Sequence, residues 1–178
     1  EQMWLDGLYM AGPFTALYGR TFEDKNCFES CIFQAKLMEE KTRDDKTGLW
    51  YHAWDSVKER PWADPVTGRS AEFWGRSIGG VPVALLDGLD CIPEGFTGRG
   101  ELVRMVRELL LAVIKYQDTG GLWYQVVDKG ETAGNWLETS CSCLFAAAIA
   151  KAVRTKILDT RYLPFAIKAF EGVIDTLR

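Results

Sequence analysis

The stretches "DDKTGLWYHAWDS" (44–56) and "QDTGGLWYQVVDKG" (117–130) are two versions of one pattern. Each sets Leu-Trp-Tyr behind a glycine and an aspartate four residues beyond the tyrosine, Asp55 in the first copy and Asp128 in the second. Downstream of each, "EFWGRSIGGVPVALLDGL" and "GNWLETSCSCLFAAAIAKAV" open an apolar helical pattern with an aromatic lead-in, Trp74 and Trp136. The copies lie roughly 62 to 73 residues apart, so the repeated unit is helix, long aromatic connection, helix. Units of this kind bury their apolar faces only against one another, and they stack side by side.

Outward from those connections, apolar residues recur at helical spacing and predict helices over 3–20, 24–41, 72–91, 99–117, 134–155 and 160–178. Asp24 or Asn26 is placed to cap the second, Asn135 the fifth, and Asp159 or Thr160 the sixth. The turn-rich "IPEGFTGRGE" (92–101) separates the third from the fourth. The expectation is an all-α array of three hairpins forming one domain over 1–178, with helices one, three and five on the inner layer.

Composition narrows the function. The chain has 178 residues, 47% hydrophobic and 26% charged, the balance of a globular protein with one sizeable core. A net charge of -4 with dispersed Lys and Arg leaves no footprint for phosphate-backbone binding, so nucleic acid is not an expected partner. Apolar runs such as "ELLLAVI" and "CLFAAAIA" fall short of the ~20 residues that a membrane-spanning helix needs, so no membrane partner is expected. Five cysteines at spacings foreign to zinc motifs read as reduced, mostly buried structural thiols of a cytoplasmic protein, with no metal and no cofactor expected.

With alternate helices inside a curved array, the long connections fall on one edge. Asp6, His52, Trp74, Arg76, Trp123 and Trp136 then converge on one concave mouth. Tryptophans beside a few polar groups suit a sugar, whose rings stack on indole while carboxylate, Arg and His address its polar groups. Core packing is the favoured reading for Trp50 and Trp123, in the matched Leu-Trp-Tyr units; for Trp74, beside Arg76, it is the site. Asp6 is the unusual residue, a carboxylate inside the apolar and aromatic "MWLDGLYMAGPF" (3–14). Two readings compete for it: a first-turn acidic residue facing the helix dipole, or a functional acid.

In order, "WLDGLYMAGPF", "TGLWYHAWD", "PWADPVTG", "FWGRSIGG" and "GLWYQVVD" make the chain resemble the unsaturated rhamnogalacturonyl hydrolases, glycoside hydrolase family 105, relatives of the family 88 unsaturated glucuronyl hydrolases. The resemblance spans essentially the whole sequence. It implies an (α/α)6 barrel and an enzyme that removes an unsaturated uronic acid from lyase-generated pectin (rhamnogalacturonan) oligosaccharides. Such enzymes do not displace at the anomeric carbon with a carboxylate pair. An aspartic acid protonates the C4=C5 enol ether, water adds at C5, and the hemiketal rearranges and expels the neighbouring sugar. The family's acid falls on Asp6. Apolar neighbours such as Trp4, Leu5, Leu8, Tyr9 and Met10 would strip water from that carboxyl and favour its protonated, donating form. His52 and Arg76 carry over as substrate-binding residues together with Trp74, while Asp55 reads as a site-wall or structural residue.

Two departures from the family pattern stand out. Gly80 occupies the place of a tryptophan that usually ends the Trp-Gly-Arg motif, which predicts a missing stacking wall. Six helices are also half of a twelve-helix barrel, without the hairpins that carry the family's second aspartate. The expectation is a C-terminal part of a barrel whose bare flanks are covered by the remainder of the parent barrel or by self-association. A truncated, inactive half barrel that binds sugar weakly or only self-associates is the competing reading. A sugar epimerase is a third, disfavoured by the single histidine.

Overall fold

A computed structural model describes residues 1–130 and 132–176. All six expected helices form: α1 (Asp6–Thr21), α2 (Lys25–Thr42), α3 (Gly75–Leu89), α4 (Arg99–Ile114), α5 (Thr139–Arg154) and α6 (Leu163–Thr176). The last two positions expected of the sixth helix, 177 and 178, lie outside the described residues. Asp24 caps α2 by accepting from the Asn26 backbone N–H, and Asp159 caps a short 3-10 turn, Thr160–Tyr162, that leads into α6.

The inner helices start later than their apolar patterns, for one shared reason. Their aromatic lead-ins are extended, because they pair with the long connections. Strand β1 (Gln2–Trp4) runs antiparallel to β2 (Ala53–Asp55), and β3 (Trp123–Tyr124) to β4 (Leu137–Glu138). Trp74 bridges to Val126 in the same way. The fifth helix is therefore capped by Glu138, which accepts from the N–H groups of Ser140 and Cys141, and not by Asn135. Asn135 instead pins its own loop, accepting from Val126 N–H and donating to the carbonyls of Val126 and Gly130.

Helices α1, α3 and α5 form the inner layer and run parallel. Position 6 meets 77, position 9 meets 80 and position 16 meets 88, while 75 meets 141, 79 meets 144 and Asp87 meets Lys151. Each outer helix, α2, α4 or α6, packs back on the inner helix preceding it. The central helix α3 is apolar almost all round and buried from Ile78 to Pro82, since it has neighbours on both sides and behind. Its glycines set the spacing to α5: a Cβ at Gly79 would lie 2.8 Å from Leu144 Cβ. That atom is tied to the α5 backbone and cannot rotate away. Gly79→Ala should therefore lower stability by about 1–3 kcal/mol through overpacking, although alanine favours helix. A urea midpoint that rises in this variant would contradict the close contact.

The two ends of the array are bare. On α1, Met10 is 76% and Phe14 71% exposed, and Phe22 and Tyr18 lie open beside them. At the other end an apolar groove of about 470 Å³ runs between α5 and α6, lined by residues such as Cys143, Ala147, Ile167 and Phe170. The cysteines follow this asymmetry. All five are free thiols, but only Cys141 is buried and Cys143 on the outer face of α5 is exposed, which corrects the expectation of mostly buried thiols. Burial pushes the half-buried Cys31 thiol up to about 11, so it stays protonated and inert.

Candidate active site

The β1–β2 ladder builds the site. Leu5 N–H donates to the His52 carbonyl at 3.0 Å, and His52 N–H donates to the Glu72 carbonyl at 3.3 Å. Three segments far apart in sequence thus meet at the N-terminal rim of the inner helices. Asp6 opens α1 there, in the first turn, where free N–H groups and the helix dipole favour a negative charge.

The side chains form a chain of hydrogen bonds. Ser77, in the first turn of α3, donates its hydroxyl to Asp6 Oδ2 at 2.8 Å and lies 2.7 Å from His52 Nδ1. His52 Nδ1 and Asp6 Oδ2 are 3.7 Å apart. The imidazole is held edge-on between two indoles, with centroids 4.8 Å from Trp4 and 4.7 Å from Trp74. Trp62 packs against Trp4 at 5.0 Å, and the Arg76 guanidinium lies 4.5 Å over the Trp74 ring. Burial between those rings holds the His52 pKa below its ordinary 6.5 despite the opposing pull of Asp6, so the ring is neutral at neutral pH.

Four of the six residues expected at the mouth, Asp6, His52, Trp74 and Arg76, come together. Trp123 does not: it is fully buried, packs edge-on against Phe145 and donates its Nε1–H to the Val113 carbonyl at 2.8 Å. Trp50 is core as well. Trp136 stays 53% exposed on the rim side, just ahead of β4. Asp55 is buried and structural. Burial alone would push its carboxyl up, but the backbone N–H groups of Glu59, Arg60 and Val57 hold it below the usual range, as they fold the loop around it.

Two expectations about the rim need correction. The Asp6 side chain is 53% exposed, so its apolar sequence neighbours do not enclose it. Leu5 and Leu8 are buried in the core and Trp4 packs on His52 and Trp62, while Tyr9 and Met10 are themselves exposed. Nor is Gly80 an empty place. It is buried beneath Tyr9, whose Cβ would stand 3.4 Å from a Cβ at position 80, an ordinary van der Waals separation. Ser77 and Trp62 are the site residues that sequence reasoning passed over, and Trp4, expected as an apolar neighbour of Asp6, packs against His52. Ser77 directly follows the Trp-Gly-Arg triplet and Trp62 stands in "PWADPVTG", so the motifs contained the only available signal. A groove of about 1030 Å³ lies elsewhere, between α2 and the 95–98 turn on the outer layer.

Parallel inner helices with a polar and aromatic cluster at their N-terminal rim define a chain of the α/α-barrel class. It belongs to Glycosyl Hydrolase Family 88, whose sequence profile matches residues 1–178. A 24.9 kDa protein of the picA locus of Rhizobium radiobacter is 36% identical over 160 residues, covering 90% of this chain and 68% of that protein. The unsaturated rhamnogalacturonyl hydrolase YesR of Bacillus subtilis (strain 168) is 29% identical over 175 residues, 98% of this chain and 47% of that enzyme. Among solved structures, a family 105 glycoside hydrolase of C. acetobutylicum ATCC 824 superposes with a TM-score of 0.94 at 38% identity, over 98% of this chain and 49% of that one. The unsaturated glucuronyl hydrolase of Bacillus sp. GL1 shares the fold with a TM-score of 0.73 at 14% identity, over 98% of this chain and 46% of that one. The chain thus spans about half the length of these two structures and of the Bacillus subtilis enzyme, and the six helices are part of a helical barrel.

Proposed function

We propose that this chain carries the acid-bearing part of a glycosidase that removes unsaturated galacturonyl or glucuronyl residues from lyase-generated pectin oligosaccharides. The observation that carries this reading is the Asp6–Ser77–His52 chain, walled by Trp4 and Trp74 at the rim of a family 88 fold. Asp6 donates a proton to C4 of the enol ether, water adds at C5, and the hemiketal opens to release the next sugar. Neutral His52 offers its ring to a sugar hydroxyl. Arg76, exposed and already stacked on Trp74, meets the uronate carboxylate. Its loss is expected to act mainly on KM. Arg76→Ala removes a charge-assisted hydrogen bond of about 1.5–3 kcal/mol, a weakening of roughly ten- to a hundredfold. Lysine, which lacks the planar stack, is expected to recover only part of it.

The half-exposed Asp6 and the two apolar ends favour one addition: the flanks are covered in the working protein, by further hairpins of a parent barrel or by a second copy. A second reading draws on the same observation, namely an inactive half barrel that binds sugar or only self-associates. Loss of enol-ether absorbance on incubation with lyase-generated pectin disaccharides, measured beside light scattering, separates the two. Turnover together with self-association or a bound remainder supports the first reading. An associated, folded protein without turnover supports the second, and a stable, fully active monomer refutes the covered-flank part of both. No helix among the described residues is long and apolar enough to cross a membrane. A cytoplasmic location is proposed on the five free thiols.

A further inference from the structure

Among the described residues Ser77 is the one group hydrogen-bonded to both Asp6 and His52, and it is only 2% exposed, so water does not compete for its hydroxyl. A hydroxyl carries a single hydrogen and can donate to one partner at a time. It cannot serve Asp6 Oδ2 and His52 Nδ1 alike. Whichever it serves, the other must be the donor. The neutral imidazole has one N–H to place, on Nδ1 or on Nε2.

We propose that Ser77 is a positioning residue whose hydroxyl couples the proton on His52 to the proton on Asp6. With Asp6 ionised, Ser77 donates to Oδ2 and accepts from His52 Nδ1–H, leaving Nε2 bare as an acceptor. With Oδ2 protonated, both hydrogen bonds reverse, and His52 carries its proton on Nε2. Neither arrangement creates or loses a proton other than the one on Asp6. Its catalytic meaning rests on the reading of Asp6 as the acid: His52 Nε2 is a donor while Oδ2 holds the proton and becomes an acceptor once that proton has left. Among the described residues, Asp6 is the charged group that acts on the His52 ring. On α1 Asp6 is the only group in the chain; ahead of α3 the Glu72 carboxylate is turned to Lys129, and on α3 Arg76 lies over Trp74.

The test needs no substrate. His52 is the only histidine in the 178 residues, so its ring nitrogens are assigned without ambiguity. Long-range proton–nitrogen NMR above the imidazole titration should show Nδ1 protonated and Nε2 bare, the reverse of the tautomer that free histidine prefers. Asp6→Leu frees the Ser77 hydroxyl to donate to Nδ1, and the proton should move to Nε2. Ser77→Ala should lose the Nδ1–H preference and Ser77→Thr, which keeps a hydroxyl, should retain it. Protonated Nε2 in the unaltered protein, or an unchanged Nδ1–H in Asp6→Leu, overturns the coupling, and these two measurements decide even if Ser77→Ala fails to fold. The tautomer is read whether or not the protein turns over disaccharide, so failure here is distinct from failure of the hydrolase reading.

Discussion

Asp6→Asn is expected to lower turnover of unsaturated disaccharide by about 10²- to 10⁴-fold, the range a positioned general acid contributes, with no change in far-ultraviolet circular dichroism. The amide is nearly isosteric with the carboxyl and its oxygen still accepts from Ser77, so the β1–α1 junction keeps its geometry. What disappears is the carboxylic proton. Asp6 is half exposed and buries no apolar surface, so the melting temperature should move little. A variant that keeps more than about a tenth of the rate would move the acid to another group. Asp55 is not an available substitute, because its carboxylate is buried and occupied by the loop's backbone N–H groups.

Removing a buried indole should have the largest effect on stability. Trp123→Ala deletes a fully buried side chain, its edge-on contact with Phe145 and its hydrogen bond to Val113, and should cost about 3–5 kcal/mol. Trp136→Ala, on an exposed ring just ahead of β4, should stay within about 0.5 kcal/mol. The pair is best compared by urea unfolding, where the first midpoint falls and the second does not. Equal losses would mean that Trp136 is packed in the working protein, as it would be if covered by a partner. A small loss at Trp123 would contradict its place under the α4–α5 seam.

The repeated Leu-Trp-Tyr connections made the helical hairpins legible, because helix periodicity and turn residues are local properties of a chain. They also separated core from rim in part. Trp50 and Trp123 are core, as repeated units that must bury a shared face require, and Trp74 stands with Arg76 at the rim. The ordered motifs singled out Asp6 and His52, which the structure brings to 3.7 Å from one another.

What sequence could not state depends on partners distant along the chain. The late starts of α1, α3 and α5 come from strand pairing across long connections, and a local apolar pattern cannot distinguish an extended aromatic lead-in from a first helical turn. Ser77 is separated from Asp6 by 71 positions and from His52 by 25, and only the parallel packing of α1 against α3 makes it their shared partner. The same packing decides that Tyr9 covers Gly80 and that Asp6 is open. Local sequence determines which segments are helices and which faces are apolar; burial and hydrogen-bond partnership are set by what the other helices place alongside, so these the tertiary structure alone decided.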